Sequence, residues 1–414
     1  MTKTIKPAPL CGTIAAIPSK SHLHRLLIYA ALADVPTKIL CGKTDAIDIK
    51  ATIGCLEALG AVITQEDDGY TVQPLDRDVL PQTAILPVHE SGSTLRFMLP
   101  VVAALGVKGE FRMAGRLPER PLYPLDREME RHGIKLSKKS SSILICDGQL
   151  RPGEYKLPGN VSSQYISGLY MALPLIDGDS SLCITEPIES QDYITLTLDV
   201  AKQFGWTPRN FNGYTSPGTV ICEGDWSNAC FWLCAGALPG GDITMTGLNA
   251  SSIQGDKEVL DILERIGANV EWTDEVTVRV WEGQRNATQI DAAPIPDAIP
   301  ILAAVAAVAN GTTTVINAAR LRIKESDRLT ATADVLNALG ANIQEQPEGL
   351  IIRGVKALTG GTEVRSHNDH RIAMMPAIAA AACDQPVTIT TAEAVNKSYP
   401  AFWDDYAALQ RTHA

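Results

Sequence analysis

The sequence predicts an α/β protein of two domains, and two observations support this fold class. Its 414 residues exceed the roughly 250 to 300 at which a single hydrophobic core stops growing. A pattern of an amphipathic helix, a glycine and a short strand also recurs along the chain. Because helices that alternate with strands are typical of α/β architecture, we expect two domains of repeated α/β units.

The repeat is marked by a glycine that follows each amphipathic helix. The pattern predicts that each glycine ends its helix with a positive φ and that a strand begins directly afterwards. "Leu-Gly-Ala" after a helix is also common in α/β proteins, so coincidence is an alternative. The regular spacing, at intervals of 62 to 73 residues, favours six units, three per domain. The five copies end at Gly60, Gly133, Gly205, Gly267 and Gly340.

The last predicted helix, at 402–410, has no chain after it that could supply its strand. We expect the missing strand from the N-terminal segment 3–16, which would then pair with the C-terminal half. The second domain would therefore be discontinuous. The predicted domains are 18–225 and 1–17 with 226–414, and the chain would cross between them near Ile17 and Asp225.

Charge and cysteine content exclude several classes of function. The net charge is −11 and no run of five basic residues occurs, so nucleic-acid and anionic-membrane partners are not expected. No apolar run is long enough to span a bilayer, and the first residues do not resemble a signal peptide. The nine cysteines form no CxxC pair. We expect a cytoplasmic enzyme with reduced thiols and no metal.

Four motifs place a small polar residue before a helix and a basic residue beside it. In PSKSHLHR, Ser19 or Ser21 can cap a helix that carries Lys20 and Arg25. In ESGSTLRF, Gly92 allows close backbone approach to a ligand. RIKESDRL and NDHR follow the same design. Each motif alone could be an ordinary capped helix, but their repetition favours a site that binds anions.

Three further motifs add polar or cationic side chains. In LPERPL, two prolines stiffen the backbone around Arg120, which suits bidentate anion recognition but also occurs in plain surface turns. VSSQY offers hydroxyls and an amide before a helix, and KSYP offers a lysine. The charges of RLRIKESDRL could instead form a surface network of little energetic value.

Taken in order, the motifs resemble the 5-enolpyruvylshikimate-3-phosphate synthase family over nearly the whole chain. The resemblance implies a two-domain inside-out α/β barrel with three βαβαββ units per domain and the active site in the interdomain cleft. It implies a monomer that transfers the enolpyruvyl group of phosphoenolpyruvate to the 5-hydroxyl of shikimate 3-phosphate without a cofactor. The matching segments are PSKSHLHR, ESGSTLRF, LPERPL, VSSQ, IPDAIP, RIKESDRL, NDHRIAMM and KSYPAFW.

The resemblance also implies the site residues. Asp297 would take the 5-hydroxyl proton and Glu325 would shuttle a proton at C3, assisted by Lys20 and His370; Asp297 could also cap a helix. The expected shikimate 3-phosphate contacts are Lys20, Ser21, Arg25, Ser162, Ser163, Gln164, Ser190, Tyr193, Asp297, Arg320 and Lys324. The expected phosphoenolpyruvate contacts are Lys20, Gly92, Arg120, Gln164, Arg328, Arg371 and Lys397.

Two departures and three rival functions remain. Glu90 stands where the family usually has Asn, and Arg320 stands where some members have Asn. The transferase acting on UDP-N-acetylglucosamine uses a loop cysteine, which segment 111–124 lacks. RNA 3′-phosphate cyclase fits neither the charge nor the motifs. An inactive binding domain would lose a proton-transfer carboxylate, whereas Asp297 and Glu325 are both present.

Overall fold

The computed structural model describes residues 1–207 and 213–410. The strands in these residues are β1 Thr2–Ile5, β2 Cys11–Ala15, β3 Thr37–Leu40, β4 Val62–Glu66, β5 Gly69–Gln73, β6 Thr83–His89, β7 Lys108–Met113, β8 Lys135–Ser140, β9 Ile143–Asp147, β10 Glu154–Pro158, β11 Ser181–Thr185, β12 Thr219–Ile221, β13 Asp242–Thr246, β14 Asn269–Asp274, β15 Thr277–Trp281, β16 Gln289–Asp291, β17 Thr312–Ile316, β18 Asn342–Gln346, β19 Gly349–Arg353, β20 Glu363–Arg365 and β21 Val387–Thr390. The helices are α1 Lys20–Ala31, α2 Ile47–Glu57, α3 Gly92–Ala104, α4 Leu125–Arg131, α5 Ser163–Ala172, α6 Gln191–Gln203, α7 Trp226–Ala237, α8 Val259–Ile266, α9 Ile299–Ala306, α10 Arg328–Ala338, α11 His370–Ala379 and α12 Phe402–Leu409. Among the described residues, no helix combines the length and apolar character needed to cross a membrane.

The chain divides into two compact units, which we call the continuous unit (Pro18–Cys222) and the split unit (Met1–Ile17 with Glu223–Ala414). Three sheets of the continuous unit have the strand orders β12-β3-β5-β4, β6-β7-β9-β8 and β10-β11. Three sheets of the split unit have the orders β14-β15-β13-β2, β16-β17-β19-β18 and β1-β21-β20. Parallel and antiparallel pairs occur together, so the fold is mixed α/β.

The N-terminal segment contributes strands to two sheets of the split unit. Strand β1 pairs antiparallel with β21, with Thr2 opposite Thr390, and β2 pairs parallel with β13. Helix α12 lies against β2, where Leu409 approaches to 3.2 Å of the position that a Cβ on Gly12 would occupy. The two ends of the chain therefore fold together in one unit.

The five repeat glycines end helices as predicted. All five have φ between 75° and 106°, a conformation that glycine adopts without steric cost. A strand begins two residues after four of them, as β4, β8, β14 and β18; the residues after Trp206 that would follow Gly205 include 208–212, which lie outside the described part. The strands and α-helices follow the order β–α–β–α–β–β through 83–147 and again through 289–353, with a 3-10 helix before the second α-helix in both segments.

The core of each unit contains helices that are buried nearly all round. Every residue of α7 and of α11 is buried, and these two helices pack against each other and against α9 in the split unit. In the continuous unit α3 packs against α5. Helices this apolar expose little side-chain chemistry along their length, so their N-terminal ends carry the polar groups of the motifs.

Candidate active site

Side chains cap the helices that begin at the predicted motifs. Each cap accepts a hydrogen bond from a backbone N–H of the first turn, which satisfies one of the four donors left free at a helix N-terminus. The remaining donors and the helix dipole favour an anion there. The capping residues are Ser19 of α1, Ser91 of α3, Ser162 of α5, Asp327 of α10 and Asp369 of α11.

Lys20, in the continuous unit, forms an ion pair with Asp48. Its Nζ lies 2.7 Å from Asp48 Oδ2, and the two side chains are only 16% and 13% exposed. Lys20 is the first residue of α1 and Asp48 lies in the first turn of α2, so the pair joins two helix starts. The carboxylate holds the ammonium group in place at the start of α1.

Arg25 is buried one turn into α1 and ties that helix to α6. Its guanidinium donates to Thr197 Oγ1 at 2.7 Å, Tyr193 O at 3.0 Å and Ser21 O at 2.6 Å, and it lies over the Phe97 ring. Burial lowers the pKa of Arg25 to about 10, so the group stays charged at neutral pH. Its predicted neighbours Ser21 and Tyr193 are therefore brought together with it.

Two guanidinium groups converge on Gly92 at the start of α3. A Cβ at this position would lie 2.6 Å from Arg120 Nη1 and 2.9 Å from Arg96 Nη1. Arg96 also donates to Gln164 Oε1 at 2.8 Å, and Gln164 Nε2 donates to Ser93 Oγ at 2.8 Å. Three predicted residues from three separate motifs thus meet here, because only glycine leaves room for both arginines.

The hydroxyl motifs have separate local roles. Ser162 caps α5 by accepting from Gln164 N, and the Ser163 that follows is buried. Ser190 precedes α6 with a φ of 51°, a left-handed conformation that costs free energy for a residue other than glycine. Such strain is concentrated at ligand sites, which agrees with the placement of Ser190 in the predicted set.

Arg328, in the split unit, is bound by three carboxylates. Its Nε lies 2.8 Å from Asp369 Oδ2, its Nη2 lies 2.8 Å from Glu325 Oε2, and its Nη1 lies 2.7 Å from Asp297 Oδ1. Burial lowers the pKa of Arg328, but these carboxylates raise it further than burial lowers it. Lys324 Nζ lies 3.2 Å from the same Asp297 oxygen. Four residues predicted from two motifs therefore form one charged cluster.

Asp297 remains ionised although it lies among buried groups. Burial raises its pKa, but Lys324, Arg328 and Arg371 together lower it well below its ordinary value. The alternative role as a helix cap is wrong, because α9 begins after Ala298 and has no side-chain cap. The carboxylate faces cations instead of backbone donors.

Arg371 is held by the first turn of α7. Its Nη1 donates to Ser227 O at 2.6 Å and to Asn228 Oδ1 at 3.3 Å, and the guanidinium lies 5.5 Å from the centroid of the Phe231 ring. Its Nη2 lies 3.8 Å from Asp297 Oδ2. Arg371 is therefore the third predicted cation at the Asp297 carboxylate, after Lys324 and Arg328, and it comes from helix α11.

Lys397 and His370 lie next to the same cluster. Lys397 Nζ donates to Asn368 O at 2.6 Å, one residue before the Asp369 that binds Arg328. His370 is buried, and its Nδ1 lies 3.8 Å from Asp369 Oδ1. Arg320 contributes electrostatically, since it helps burial to lower the pKa of Lys324.

Three residues of these clusters were not in the predicted set. Arg96 stands one turn into α3, where the ESGSTLRF motif already showed a base. Asp48 and Asp369 pair with Lys20 and Arg328, but their role depends on contacts between distant segments that no local pattern encodes. Glu90, which stands where the family usually has Asn, packs closely against Gly115. A Cβ built on Gly115 would lie 2.3 Å from Glu90 Oε2.

The thiols and carboxylates offer no metal centre in the described part of the chain. No group of three or more His, Cys, Asp or Glu residues is placed to hold a metal ion there. Burial raises the pKa of the Cys55, Cys146, Cys230, Cys234 and Cys383 thiols, which disfavours a reactive thiolate. The chemistry available is that of cations, carboxylates and hydroxyls.

Comparison with known proteins gives one consistent result. A sequence model of the family described as EPSP synthase (3-phosphoshikimate 1-carboxyvinyltransferase) matches residues 5–406. The 3-phosphoshikimate 1-carboxyvinyltransferase of Clostridium beijerinckii is 42% identical over 98% of this chain and 96% of that protein. The protein of that name from Clostridium perfringens is 43% identical over 98% and 97%.

Solved structures show the same fold at lower sequence identity. The EPSP synthase of Acinetobacter baumannii aligns with a TM-score of 0.78 and 24% identity over 99% of this chain and 98% of that one. The enolpyruvyl transferase NikO from Streptomyces tendae aligns with a TM-score of 0.78 and 20% identity over 99% and 97%.

Proposed function

Because the chain belongs to the EPSP synthase (3-phosphoshikimate 1-carboxyvinyltransferase) family, we propose that the cationic side chains described above, in the continuous unit and in the split unit, bind the substrates of one reaction. The enzyme transfers the enolpyruvyl group of phosphoenolpyruvate to the 5-hydroxyl of shikimate 3-phosphate and releases phosphate, a step of the shikimate pathway. Each substrate carries at least two negative charges. Several cations are therefore needed to bind them together.

Phosphoenolpyruvate carries a phosphate and a carboxylate, and both kinds of anion suit guanidinium groups. In the split unit, carboxylates of the protein itself pair with Arg328 and Arg371 before substrate binds. An incoming anion competes with Asp297 for these arginines, so binding also changes the charge around Asp297. The proposed contacts are Lys20, Gly92, Arg120, Gln164, Arg328, Arg371 and Lys397.

Shikimate 3-phosphate presents one phosphate and ring hydroxyls, which require neutral donors as well as cations. The caps and hydroxyls at the starts of α1, α5 and α6 supply both kinds of donor. The proposed contacts are Lys20, Ser21, Arg25, Ser162, Ser163, Gln164, Ser190, Tyr193, Asp297, Arg320 and Lys324.

Two proton transfers accompany the bond changes. In the addition step the 5-oxygen bonds to C2 of phosphoenolpyruvate, Asp297 accepts the hydroxyl proton, and Glu325, which must first bind a proton, protonates C3 with the assistance of Lys20 and His370. In the elimination step C3 returns a proton to Glu325, the bond from C2 to the phosphate oxygen breaks, and the proton held by Asp297 passes to the departing phosphate. The enol ether and inorganic phosphate are released, and both carboxyl groups return to their starting states.

The observation that carries these roles is the setting of Asp297. A carboxylate whose Oδ1 lies 3.2 Å from Lys324 Nζ and 2.7 Å from Arg328 Nη1 is ionised and oriented before substrate arrives. It is also 23% exposed, so a substrate hydroxyl can reach it. An ionised, oriented and accessible carboxylate can accept a proton, but a pKa held well below its ordinary value makes Asp297 a weak base in the free enzyme. The proposal therefore requires substrate anions to draw the cations away from Asp297 and raise its pKa.

The finer architecture follows from family membership. We infer an inside-out α/β barrel arrangement, with domains 18–225 and 1–17 with 226–414. The three sheets of each unit support three repeats per domain. From family membership we also infer that the enzyme acts as a monomer in the cytoplasm without a cofactor.

Phosphate release tests this function directly. The purified enzyme is incubated with phosphoenolpyruvate and either shikimate 3-phosphate or UDP-N-acetylglucosamine, and phosphate is measured together with the organic product. We expect phosphate release when the acceptor is shikimate 3-phosphate and none when it is UDP-N-acetylglucosamine. For Asp297→Asn we expect kcat to fall by at least about 100-fold. Absence of release with shikimate 3-phosphate, or equal release with the nucleotide sugar, contradicts the proposal.

A further inference from the structure

A chain of buried hydrogen bonds links α1, α2 and α3 in the continuous unit. His24 Nδ1 lies 2.7 Å from Thr52 Oγ1, Thr52 Oγ1 lies 2.7 Å from Thr94 Oγ1, and Thr94 Oγ1 lies 2.7 Å from Ser91 Oγ. All four side chains are at most 1% exposed. Polar groups this deeply buried cost free energy unless they are paired, so the chain constrains the positions of the three helices.

The direction of each hydrogen bond is assigned from the one partner that can only accept. Thr94 Oγ1 lies 3.3 Å from Asp48 O, and a carbonyl oxygen can only accept. When the single proton of Thr94 goes to this carbonyl, Thr94 accepts from both Thr52 and Ser91, and Thr52 gives its own proton to Thr94. Thr52 then accepts from His24 Nδ1–H, so we assign the Nδ1–H tautomer to the imidazole.

The same direction agrees with the surroundings of the ring. His24 Nε2 is buried and has no hydrogen-bond partner among the described residues, so a second proton there would be unpaired. Burial, with Lys20 and Arg25 nearby, lowers the pKa of His24 well below its ordinary value. The ring is neutral and acts as a single donor.

Each end of this hydrogen-bond network lies next to a residue that is proposed to bind substrate. His24 directly precedes Arg25, and Ser91 caps the helix that begins at Gly92. The carbonyl that accepts from Thr94 belongs to Asp48, whose carboxylate holds Lys20. The hydrogen-bond network therefore connects residues that hold three proposed anion-binding positions, Lys20, Arg25 and Gly92.

From these contacts we infer that His24 is a positioning residue for enolpyruvyl transfer, which fixes the starts of α1 and α3 relative to each other through Thr52 and Thr94. The inference rests on the proposed roles of Lys20, Arg25 and Gly92. His24 touches neither substrate and moves no proton in the reaction. It supplies the one donor that completes the chain.

Two substitutions at His24 separate positioning from packing. In His24→Asn the side-chain amide can place an N–H near the position of Nδ1–H, whereas His24→Leu keeps similar bulk and removes the donor. We expect His24→Leu to raise KM for phosphoenolpyruvate and for shikimate 3-phosphate about tenfold, the effect of one lost hydrogen bond on each site. His24→Asn should keep both KM values within about twofold of the parent enzyme.

A matched pair of threonines controls for stability. Thr52→Val removes the acceptor of the His24 proton and should raise the same two KM values. Thr37→Val breaks a partly buried bond of the same length, Thr37 Oγ1 to Ser216 Oγ at 2.7 Å, which lies outside this hydrogen-bond network. We expect a lower Tm for both threonine variants but unchanged KM values for Thr37→Val.

Nuclear magnetic resonance of 15N-labelled histidine tests the tautomer in the parent enzyme. Protonated Nδ1 and bare Nε2 are expected. The inference would be overturned if His24→Leu and Thr52→Val had the same KM values as the parent enzyme, or if the proton were found on Nε2. If the parent enzyme itself released no phosphate, the proposed function would fail instead, so the two failures can be told apart.

Discussion

Arg328 Nε and Asp369 Oδ2 form a buried ion pair of 2.8 Å in which the two side chains are 1% and 0% exposed. Asp369 also accepts from Ser326 Oγ and from Arg371 N, where it caps α11. One carboxylate therefore orients a cation from one motif and begins the helix of another. The NDHR motif predicted a polar residue before the helix but not this ion pair, which connects the RIKESDRL and NDHR segments.

Removal of this carboxylate should be strongly destabilising. Asp369→Ala leaves the buried Arg328 with one partner fewer, so we expect the free energy of unfolding to fall by about 3–5 kcal/mol. Asp327→Ala is the control, because Asp327 caps α10 and pairs with Arg322 at a partly exposed position. Its loss should cost about 1–2 kcal/mol. Urea unfolding measures both, and equal losses would contradict the buried-pair argument.

Gly92→Ala should weaken phosphoenolpyruvate binding without unfolding the protein. The new Cβ would lie 2.6 Å from Arg120 Nη1 and 2.9 Å from Arg96 Nη1, so the flexible guanidinium groups must move. We expect KM for phosphoenolpyruvate to rise roughly tenfold, equivalent to about 1.4 kcal/mol, while KM for shikimate 3-phosphate changes little.

Gly60→Ala is the matched control for that substitution. Gly60 has a φ of 106° but no atom within 4 Å of its Cβ position, so alanine there strains the backbone and displaces nothing. We expect about 1–2 kcal/mol less stability and unchanged KM values. Steady-state kinetics give the KM values of both variants, and urea unfolding gives their stability. An unchanged KM for phosphoenolpyruvate in Gly92→Ala would contradict the binding of this substrate beside Gly92 and Arg120.

Local patterns predicted the parts of this protein that depend on neighbours in sequence. The five repeat glycines have positive φ because a helix end and a following strand are encoded within a few residues. The capped helix starts at Ser19 and Ser91 were visible for the same reason. In contrast, Asp48 reaches Lys20 across 28 positions, and a sequence pattern carries no record of such a contact.

Asp297 shows both the value and the limit of the sequence. The motif IPDAIP identified the residue, and the expected helix follows it as α9. Its environment could not be predicted, because Lys324, Arg328 and Arg371 approach it from two other motifs that lie far along the chain. Packing of distant segments determines whether a carboxylate near a helix start becomes a cap or a charged partner.

The pH dependence of catalysis should reveal how substrate changes Asp297. In the free enzyme Lys324, Arg328 and Arg371 outweigh burial and hold the pKa of Asp297 well below its ordinary value. Anionic substrates neutralise these cations, so the pKa rises in the complex. The acid limb of kcat should therefore lie at higher pH than the acid limb of kcat/KM, since kcat reports the complex and kcat/KM the free enzyme.

Pre-steady-state measurements provide the check on that assignment. Single-turnover rates with both substrates saturating should follow the same acid limb as kcat, and Asp297→Asn should lose the limb along with most activity. A limb of kcat that lies below that of kcat/KM would mean that substrate binding does not relieve the cationic field around this carboxylate.

His24 should make the protein less stable in mild acid. Burial, Lys20 and Arg25 lower the pKa of folded His24 well below the ordinary 6.5. Below that value the unfolded chain takes up a proton that the folded chain does not, so stability falls as pH decreases and is fully present above it. One such group contributes a slope of at most about 1.4 kcal/mol per pH unit.

His24→Asn removes this titration and keeps the hydrogen bond to Thr52. The decline in free energy of unfolding between about pH 7 and about pH 5 should therefore be smaller in His24→Asn than in the parent enzyme. Thr52→Val is the control, because it keeps a buried histidine and should retain the parent slope while it lowers stability at every pH. Urea unfolding across this range measures all three proteins. Parallel curves for the parent and His24→Asn would mean that folded His24 takes up its proton as readily as the unfolded chain does, so that burial, Lys20 and Arg25 do not lower its pKa.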